Sequence, residues 1–316
     1  MNNDTILSPF AEDVMTGLTA KNKFIPSKYF YDDAGSRIFM QIMAMPEYYP
    51  TGCEFEILTQ QSHTIVNRLP FSGHFNVIEL GCGDGMKTIH LLKALNDINA
   101  DFTYIPIDIS QEAINTLQAN IKAAFPTIDM QPRTGDYFEE INGITGESPS
   151  LYLFLGGNIG NYQPEEATGL LDKFNIQMKK GDMLLIGMDL QKNPRIVQKA
   201  YDDPHGITRA FNLNLLTRIN RELEANINID QFEFYCDYNP QNGEVHSYLV
   251  SLKKQSFYSA VLDKTFYLEK DELIWTELSK KFTPAAIDEL ALATGFVVDA
   301  NFMDCRHYFT DSLWIK

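Results

Sequence analysis

The chain has no cysteine pair at any useful spacing. Cys53, Cys82, Cys236 and Cys305 are scattered through 316 residues without a CxxC, which argues against a zinc site and favours reduced thiols over a disulfide framework. The six histidines are as dispersed, none four residues from another, so no two imidazoles share a helical face and no structural or catalytic metal is expected. Long apolar runs are missing too. No stretch approaches the roughly 18 uninterrupted apolar residues of a membrane span, so the chain should be soluble with no membrane partner. Positive charge is scarce: 26 Lys and Arg stand against 42 Asp and Glu, a net charge of −16. That balance repels a phosphate backbone at long range and makes nucleic acid an unexpected partner. The opening MNNDTILSPFAEDV lacks the basic and apolar regions of a secretory signal, so the expected location is cytoplasmic. Internal repeats and low-complexity linkers are also absent.

What is present is an ordinary globular composition, 44% apolar and 22% charged, long enough for one large domain or two moderate ones. From about residue 74, short β-branched runs alternate with amphipathic stretches, as βα units of a parallel sheet do. FNVIEL (75–80) starts as a buried strand, followed by a helix in KTIHLLKAL (87–95), a strand in FTYIPIDI (102–109) and a helix in QEAINTLQANIKAAF (111–125). A weaker strand near 129–133, a central strand in SLYLFLGG (150–157), a helix in 164–178 and a fifth strand in GDMLLIGMDL (181–190) continue the pattern. After residue 190 the rhythm changes. One long helical stretch from Arg195 to Leu223 precedes four or five short alternating segments between about 230 and 279, an inserted and mostly antiparallel module. Within it, Asn239-Pro240-Gln241-Asn242-Gly243 reads as a hairpin turn. Helix, strand, strand at the C-terminus should return to the first sheet and complete seven strands.

The segment VIELGCGDGMKT (77–88) puts Gly81 and Gly83 on the turn leaving the first strand, where a missing Cβ lets backbone bend sharply and approach a ligand. Asp108 ends the second strand, placed to accept hydrogen bonds from two ribose hydroxyls. Two ligands remain possible. A dinucleotide needs GxGxxG and a free helix N-terminus for pyrophosphate, whereas GCGDGM carries Asp84 in the loop and lacks the third glycine in position. The acid favours a ligand without phosphates. S-adenosylmethionine fits: Lys87 at the first helical turn can meet its carboxylate, and Asp136, in Gly-Asp-Tyr-Phe after the third strand, its adenine amino group. Taken singly, a GxG turn is more often structural and an Asp after a strand is more often a helix cap; order and spacing together carry the reading.

The flanking segments are more specific. KYFYDDAGSRIF (28–39), MPEYYPTGCEFEIL (45–58), FLGGNIGNY (154–162), KAYDDPHGITRAFNLNLLTRINREL (199–223) and LIWTELSKKF (273–282) closely resemble the L-histidine Nα-methyltransferases of ergothioneine biosynthesis, from about residue 25 to the C-terminus. The resemblance implies an α/β fold, a Rossmann-like seven-stranded class I methyltransferase core (57–189 and 282–316) with an inserted α+β substrate-binding domain (1–56 and 190–281). It also implies that Tyr31, Gly81, Gly83, Lys87, Asp108, Asp136 and Tyr137 bind the cofactor, with S-adenosylhomocysteine as product. Asn161 and Tyr201 match the residues holding the amino acid's amine and carboxylate. Gly156 is a further substrate-binding position, Tyr48 lines the pocket, and Glu277 with Ser279 match the pair that binds the imidazole. Tyr31 and Asn161 are the expected catalytic residues, and the expected partner is a small-molecule amino-acid substrate, with the protein a monomer. Two positions depart from the family. Gly52 stands where arginine is usual, and Ser247 where a methionine commonly lies beside the substrate, which leaves a roomier and more polar pocket.

Methyl transfer to an amine is an in-line displacement that needs alignment and desolvation rather than a nucleophilic side chain. Tyr31 and Asn161 are placed by this reading to aim the lone pair after water removes a proton, and three rounds give hercynine. Bland alternatives stand beside each residue. Tyr48 and Tyr49 read equally as core or hinge aromatics, Tyr201 as part of a solvated helix face, His246 as an ordinary strand histidine and Cys82 as packing. Glu277 is the more telling, because a carboxylate at an inward strand position is costly unless paired. Competing functions are a methyltransferase of the same fold acting on another amino acid or aromatic amine, a non-catalytic adenosyl-binding protein, and, behind both, a nicotinamide dehydrogenase.

Overall fold

A computed structural model describes residues 7–142, 144 and 148–316. The chain divides into two compact units, Met1–Tyr49 with Lys192–Lys280, and Pro50–Gln191 with Lys281–Lys316. In chain order the elements begin with α1 (Pro9–Thr19), the two-residue β1 (Lys23–Phe24), α2 (Asp33–Met43) and α3 (Tyr49–Val66). Strands and helices then alternate: β2 (Phe75–Leu80), α4 (Thr88–Asp97), β3 (Phe102–Asp108), α5 (Gln111–Ala124), β4 (Asp129–Met130), β5 (Arg133–Thr134), α6 (Tyr137–Asn142), β6 (Ser150–Phe154), α7 (Pro164–Gln177) and β7 (Met183–Asp189). Next come α8 (Pro194–Tyr201), α9 (Ile207–Glu222) and five strands, β8 (Phe232–Asn239), β9 (Glu244–Ser251), β10 (Gln255–Ser259), β11 (Lys264–Leu268) and β12 (Leu273–Lys280). The chain closes with α10 (Pro284–Ala293), β13 (Val297–Met303) and β14 (Phe309–Ile315).

The second unit is built on one sheet, ordered β13-β14-β7-β6-β2-β3-β4, with β5 also alongside β3. These eight strands fill seven positions, because the weak strand expected near 129–133 is two short pieces separated by Gln131 and Pro132, a residue that cannot donate to a ladder. The pairs β2–β3, β2–β6 and β6–β7 are parallel, while β14 runs antiparallel to β7. This is the class I methyltransferase arrangement. Near-continuous apolar runs such as MLLIGMD are buried at every position, as strands covered on both faces must be. The strand order reverses at β2 and β6, so their C-terminal ends flank the crevice where open α/β sheets bind ligands.

In the first unit, the order is β1-β12-β9-β8, with β10 and β11 as a separate hairpin. The β8–β9 turn is the expected one: Gly243 has φ +77° and its N–H donates to Asn239 O at 2.9 Å. One face of this sheet packs Phe232, Leu249 and Ile274 against Phe211, Leu215, Leu216 and Ile219 of α9. The single long helix expected over Arg195–Leu223 is instead two. Asp202 to Gly206 interrupts it, since Pro204 has no N–H for a helix interior and Gly206 is left-handed at φ +73°. Asp203 accepts the N–H groups of His205, Ile207 and Thr208 and starts α9 as a cap. The break lets α8 end with Tyr201 turned inward, only 7% exposed, which rules out the solvated-face reading of that residue.

Candidate active site

In the second unit, alternate glycines shape the turn after β2. Gly81 and Gly83 take φ +71° and +54°, and a Cβ on Gly81 would lie 3.0 Å from the Tyr137 hydroxyl; only glycine suits both demands. Asp108, at the end of β3, ties the turn down. The Gly83 N–H donates to its Oδ2 at 3.1 Å and the Ser110 N–H to its Oδ1 at 2.9 Å, which leaves each carboxylate oxygen a lone pair for a ligand hydroxyl. Tyr137 opens α6 beside this group, its phenol pushed up by burial and by the Asp108 carboxylate. Asp136 caps the same helix through Phe138 N–H at 2.9 Å, so the helix-cap reading is realised through its Oδ1. Gly81, Gly83, Asp108, Asp136 and Tyr137 are thus gathered at the C-terminal ends of β2, β3 and β5.

Lys87 lies just before α4, and its ammonium pairs with Glu54 of α3. Burial works against that charge, but Glu54, with Asp311 and Glu79 nearby, holds Lys87 above its ordinary pKa. Glu54 is 1% exposed and also accepts the Gly156 N–H at 2.6 Å, joining Lys87 to the turn after β6. Gly156 and Gly157 both have positive φ, +87° and +70°, and send the chain into a short 3-10 turn, Asn158–Asn161, which ends on the half-buried Asn161.

The first unit holds the remaining candidates. Tyr201 and Ser279 share a hydroxyl hydrogen bond of 2.8 Å. Tyr48 meets Tyr201 edge-on at 6.1 Å and Phe39 at 6.3 Å, and Phe39 meets Tyr31 at 5.3 Å, so the tyrosines form one aromatic chain rather than three isolated core rings. Tyr31 is 48% exposed at its end. Across the sheet, Cys236, Ser247 and Glu277 stand opposite one another on β8, β9 and β12. A β-bulge between Trp275 and Glu277 decides this. Before it, Ile274 shares the helix-covered face with Leu249, opposite it, while Trp275 points to the other face with Tyr248. The extra residue, Thr276, is fully buried and donates to Asn212 of α9 at 2.7 Å. After it, Glu277 and Ser279 are swung onto the helix-covered face with Ser247. Bulges commonly re-aim a side chain in this way, and plain alternation would put Glu277 with Trp275. His246 accepts from Trp275 Nε1 at 3.1 Å, as an ordinary strand histidine.

Two buried acids escaped the sequence reading, Glu54 and Asp311. The signals were there: an acid inside the helix segment CEFEIL, and another inside the largely apolar strand FTDSLWI. Gly187 is a third. It lies opposite Asp311 on β7, and a Cβ there would run into Glu54 Oε1 and lie 3.1 Å from Gly156 N, the close approach that a glycine within a strand marks.

Comparison with known proteins identifies the family. The family model of S-adenosylmethionine-dependent, histidine-specific methyltransferases matches residues 10–316. A histidine N-alpha-methyltransferase of Mycolicibacterium smegmatis is 36% identical over 92% of this chain and 90% of its own length. The protein of the same name from Mycobacterium tuberculosis is 35% identical over 89% and 87%. At 27% identity, an L-tryptophan methyltransferase of Psilocybe serbica aligns with 90% of this chain and 86% of itself. Sheet order, glycine turn and family match coincide along nearly the whole sequence: the chain belongs to the S-adenosylmethionine-dependent histidine-specific methyltransferase family.

Proposed function

We propose that this protein transfers methyl groups from S-adenosylmethionine to the α-amino nitrogen of L-histidine, three times in succession, giving the trimethylated betaine hercynine and S-adenosylhomocysteine. The observation that carries this reading beyond family membership is the placement of Glu277 on the inner face of the first unit's sheet, two residues from Ser279 and across from Ser247. An ionised carboxylate accepts one imidazole N–H, and a hydroxyl serves the other nitrogen.

The roles divide by unit. In the second, the open turn at Gly81 and Gly83 gives backbone access to the adenosyl group, and Asp108 accepts from both ribose hydroxyls. Asp136 receives the adenine amino group beside Tyr137, and Lys87 holds the methionine carboxylate. Asn161, on the 3-10 turn beyond Gly156, takes the amino acid's amine. In the first, Tyr201, oriented by Ser279, takes the carboxylate, Tyr48 supplies an aromatic wall, and Tyr31 aims the nitrogen lone pair. The α-ammonium loses its proton to water before each round, so no side chain has to act as a nucleophile. Alignment and exclusion of water are what the protein supplies.

A single specific observation favours a second reading. Ser247, 1% exposed, sits directly opposite Glu277 with a small polar side chain, which suits a larger or differently substituted aromatic amino acid. Incubating the protein with S-adenosylmethionine and, separately, histidine, tryptophan and tyrosine tests both. Histidine gaining one, two and three methyl masses is the expected result. Methylation of another amino acid in preference would replace the substrate, and no product from any would remove the catalytic reading.

A further inference from the structure

Asp311 is fully buried on β14, and neither of its carboxylate oxygens meets an N–H or O–H donor. Its neighbour is another acid, Glu54 of α3. An isolated ionised carboxylate in such a place is prohibitively costly, and two carboxylates side by side cannot both ionise, so one holds a proton. Glu54 is already committed as an anion: it pairs with the Lys87 ammonium and accepts the Gly156 N–H. The proton therefore belongs to Asp311, where burial first and the Glu54 charge second favour the neutral acid. The charged groups facing the cluster are Glu54 from α3, Lys87 from the start of α4 and Glu79 from β2.

We propose that Asp311 is a neutral, proton-donating acid that orients Glu54, and that Glu54 in turn fixes Lys87 and the Gly156 turn, making Glu54 and Asp311 positioning residues of the adenosylmethionine site. This rests on the cofactor role proposed above for Lys87. The device has a clear electrostatic purpose. Were both acids ionised, the cluster would carry an excess negative charge beside Lys87, which would repel a ligand carboxylate arriving there. With the proton on Asp311, one anion balances one cation. Gly187 is part of the same device, since the strand opposite Asp311 must lack a Cβ for Glu54 to enter.

The test uses the full chain and two readouts. Infrared spectra at alkaline pH, where Glu79, with its pKa raised to about 7, has ionised, should carry the carbonyl band of a protonated carboxylic acid that D311N removes. Binding of S-adenosylhomocysteine, measured by calorimetry, should fall about tenfold or more in E54Q and D311L, as expected when a buried charged hydrogen bond is lost. D311N, whose amide remains a donor to Glu54, should recover most of the affinity that D311L loses. Absence of the band, or D311N as damaging as a correctly folded D311L, or E54Q binding like wild type, would overturn the proposal. If wild type fails to bind S-adenosylhomocysteine while the band is present, the cofactor assignment fails and the proton on Asp311 stands.

Discussion

The two units bury polar groups of different kinds. Among the described residues, the second buries Glu54, Glu79, Asp182, Asp189, Lys281, Asp304 and Asp311, whereas in the first Asp203 is the one ionisable member of a set otherwise made of Asn212, Asn214, Ser247, Ser251, Ser259, Thr208, Thr276 and Ser279. Fixed charges are costly to bury and hold their geometry only when paired. The second unit holds two such pairs, Lys281 with Asp189 at 2.9 Å and Lys87 with Glu54, as suits a ligand with a carboxylate, a ribose and a sulfonium. The first unit relies on neutral hydroxyls and amides, which can donate or accept, and leaves its proposed charged contact, Glu277, half-exposed. One unit is organised for recognising charge and the other for recognising hydrogen-bond pattern.

The comparison breaks most visibly at Glu277. Glu277→Ala should lower kcat/KM for histidine about 10³-fold, because the imidazole N–H then enters a polar pocket without an acceptor, while S-adenosylhomocysteine binds within about threefold of wild type, the mutated contact lying outside that ligand's proposed set. Product formation by mass spectrometry and calorimetry separate the two quantities. Loss of cofactor affinity in the same variant would mean that the units do not divide the work as described.

A second sharpening concerns pH. Glu79 is fully buried, takes hydrogen bonds from Thr88 and Tyr104, and is pushed by burial from 4.5 up to about 7. A raised folded pKa means that the native state binds the proton more tightly than the unfolded chain. The associated stability is therefore present below about pH 4.5 and is lost as pH rises through about 7. Glu79→Gln should flatten that fall, a difference of up to about 3 kcal/mol between pH 5 and pH 8, seen in denaturant unfolding of mutant and wild type at both pH values. Parallel pH curves for the two proteins would show that Glu79 is not the source.

Most of the fold was legible because its signals are local. Short apolar runs gave β2, β3, β6 and β7, and the Asn-Gly turn gave the β8–β9 hairpin. The split of α8 from α9 lay in plain view as Asp-Asp-Pro-His-Gly, yet strong helical spacing on either side masked it. In the candidate site, Gly81, Asp108 and Asp136 follow from their places at strand ends. Glu277 is different: strand alternation puts it on the face of Trp275, and only a bulge, whose position depends on pairing with β9, turns it inward. Glu54 and Asp311 escaped for a related reason. They are 257 positions apart, and each reads alone as a misplaced acid until the sheet brings them together.

Asp108→Ala should come next in size, raising the Kd for S-adenosylhomocysteine about 100-fold through loss of two ribose contacts to a charged acceptor, with histidine-site variants unaffected. An Asp108→Ala protein that binds like wild type by calorimetry would detach the glycine turn from the cofactor.

The smallest effect expected is at Tyr201 and Ser279. Their shared hydrogen bond of 2.8 Å is buried, and the proposed role of Ser279 is partly to orient Tyr201, so the two should not act independently. Tyr201→Phe and Ser279→Ala are each expected to raise KM for histidine about tenfold with kcat changed less, a loss of about 1.4 kcal/mol that is typical of one hydrogen bond. The double variant should be less than the product of the two, since removing either partner already breaks the shared bond. Steady-state kinetics on the four proteins measure the coupling. Strict additivity would separate the residues and leave Ser279 to the imidazole alone. A fall in kcat with KM unchanged would move Tyr201 from binding to alignment of the reacting nitrogen, the role proposed for Tyr31 of the same unit.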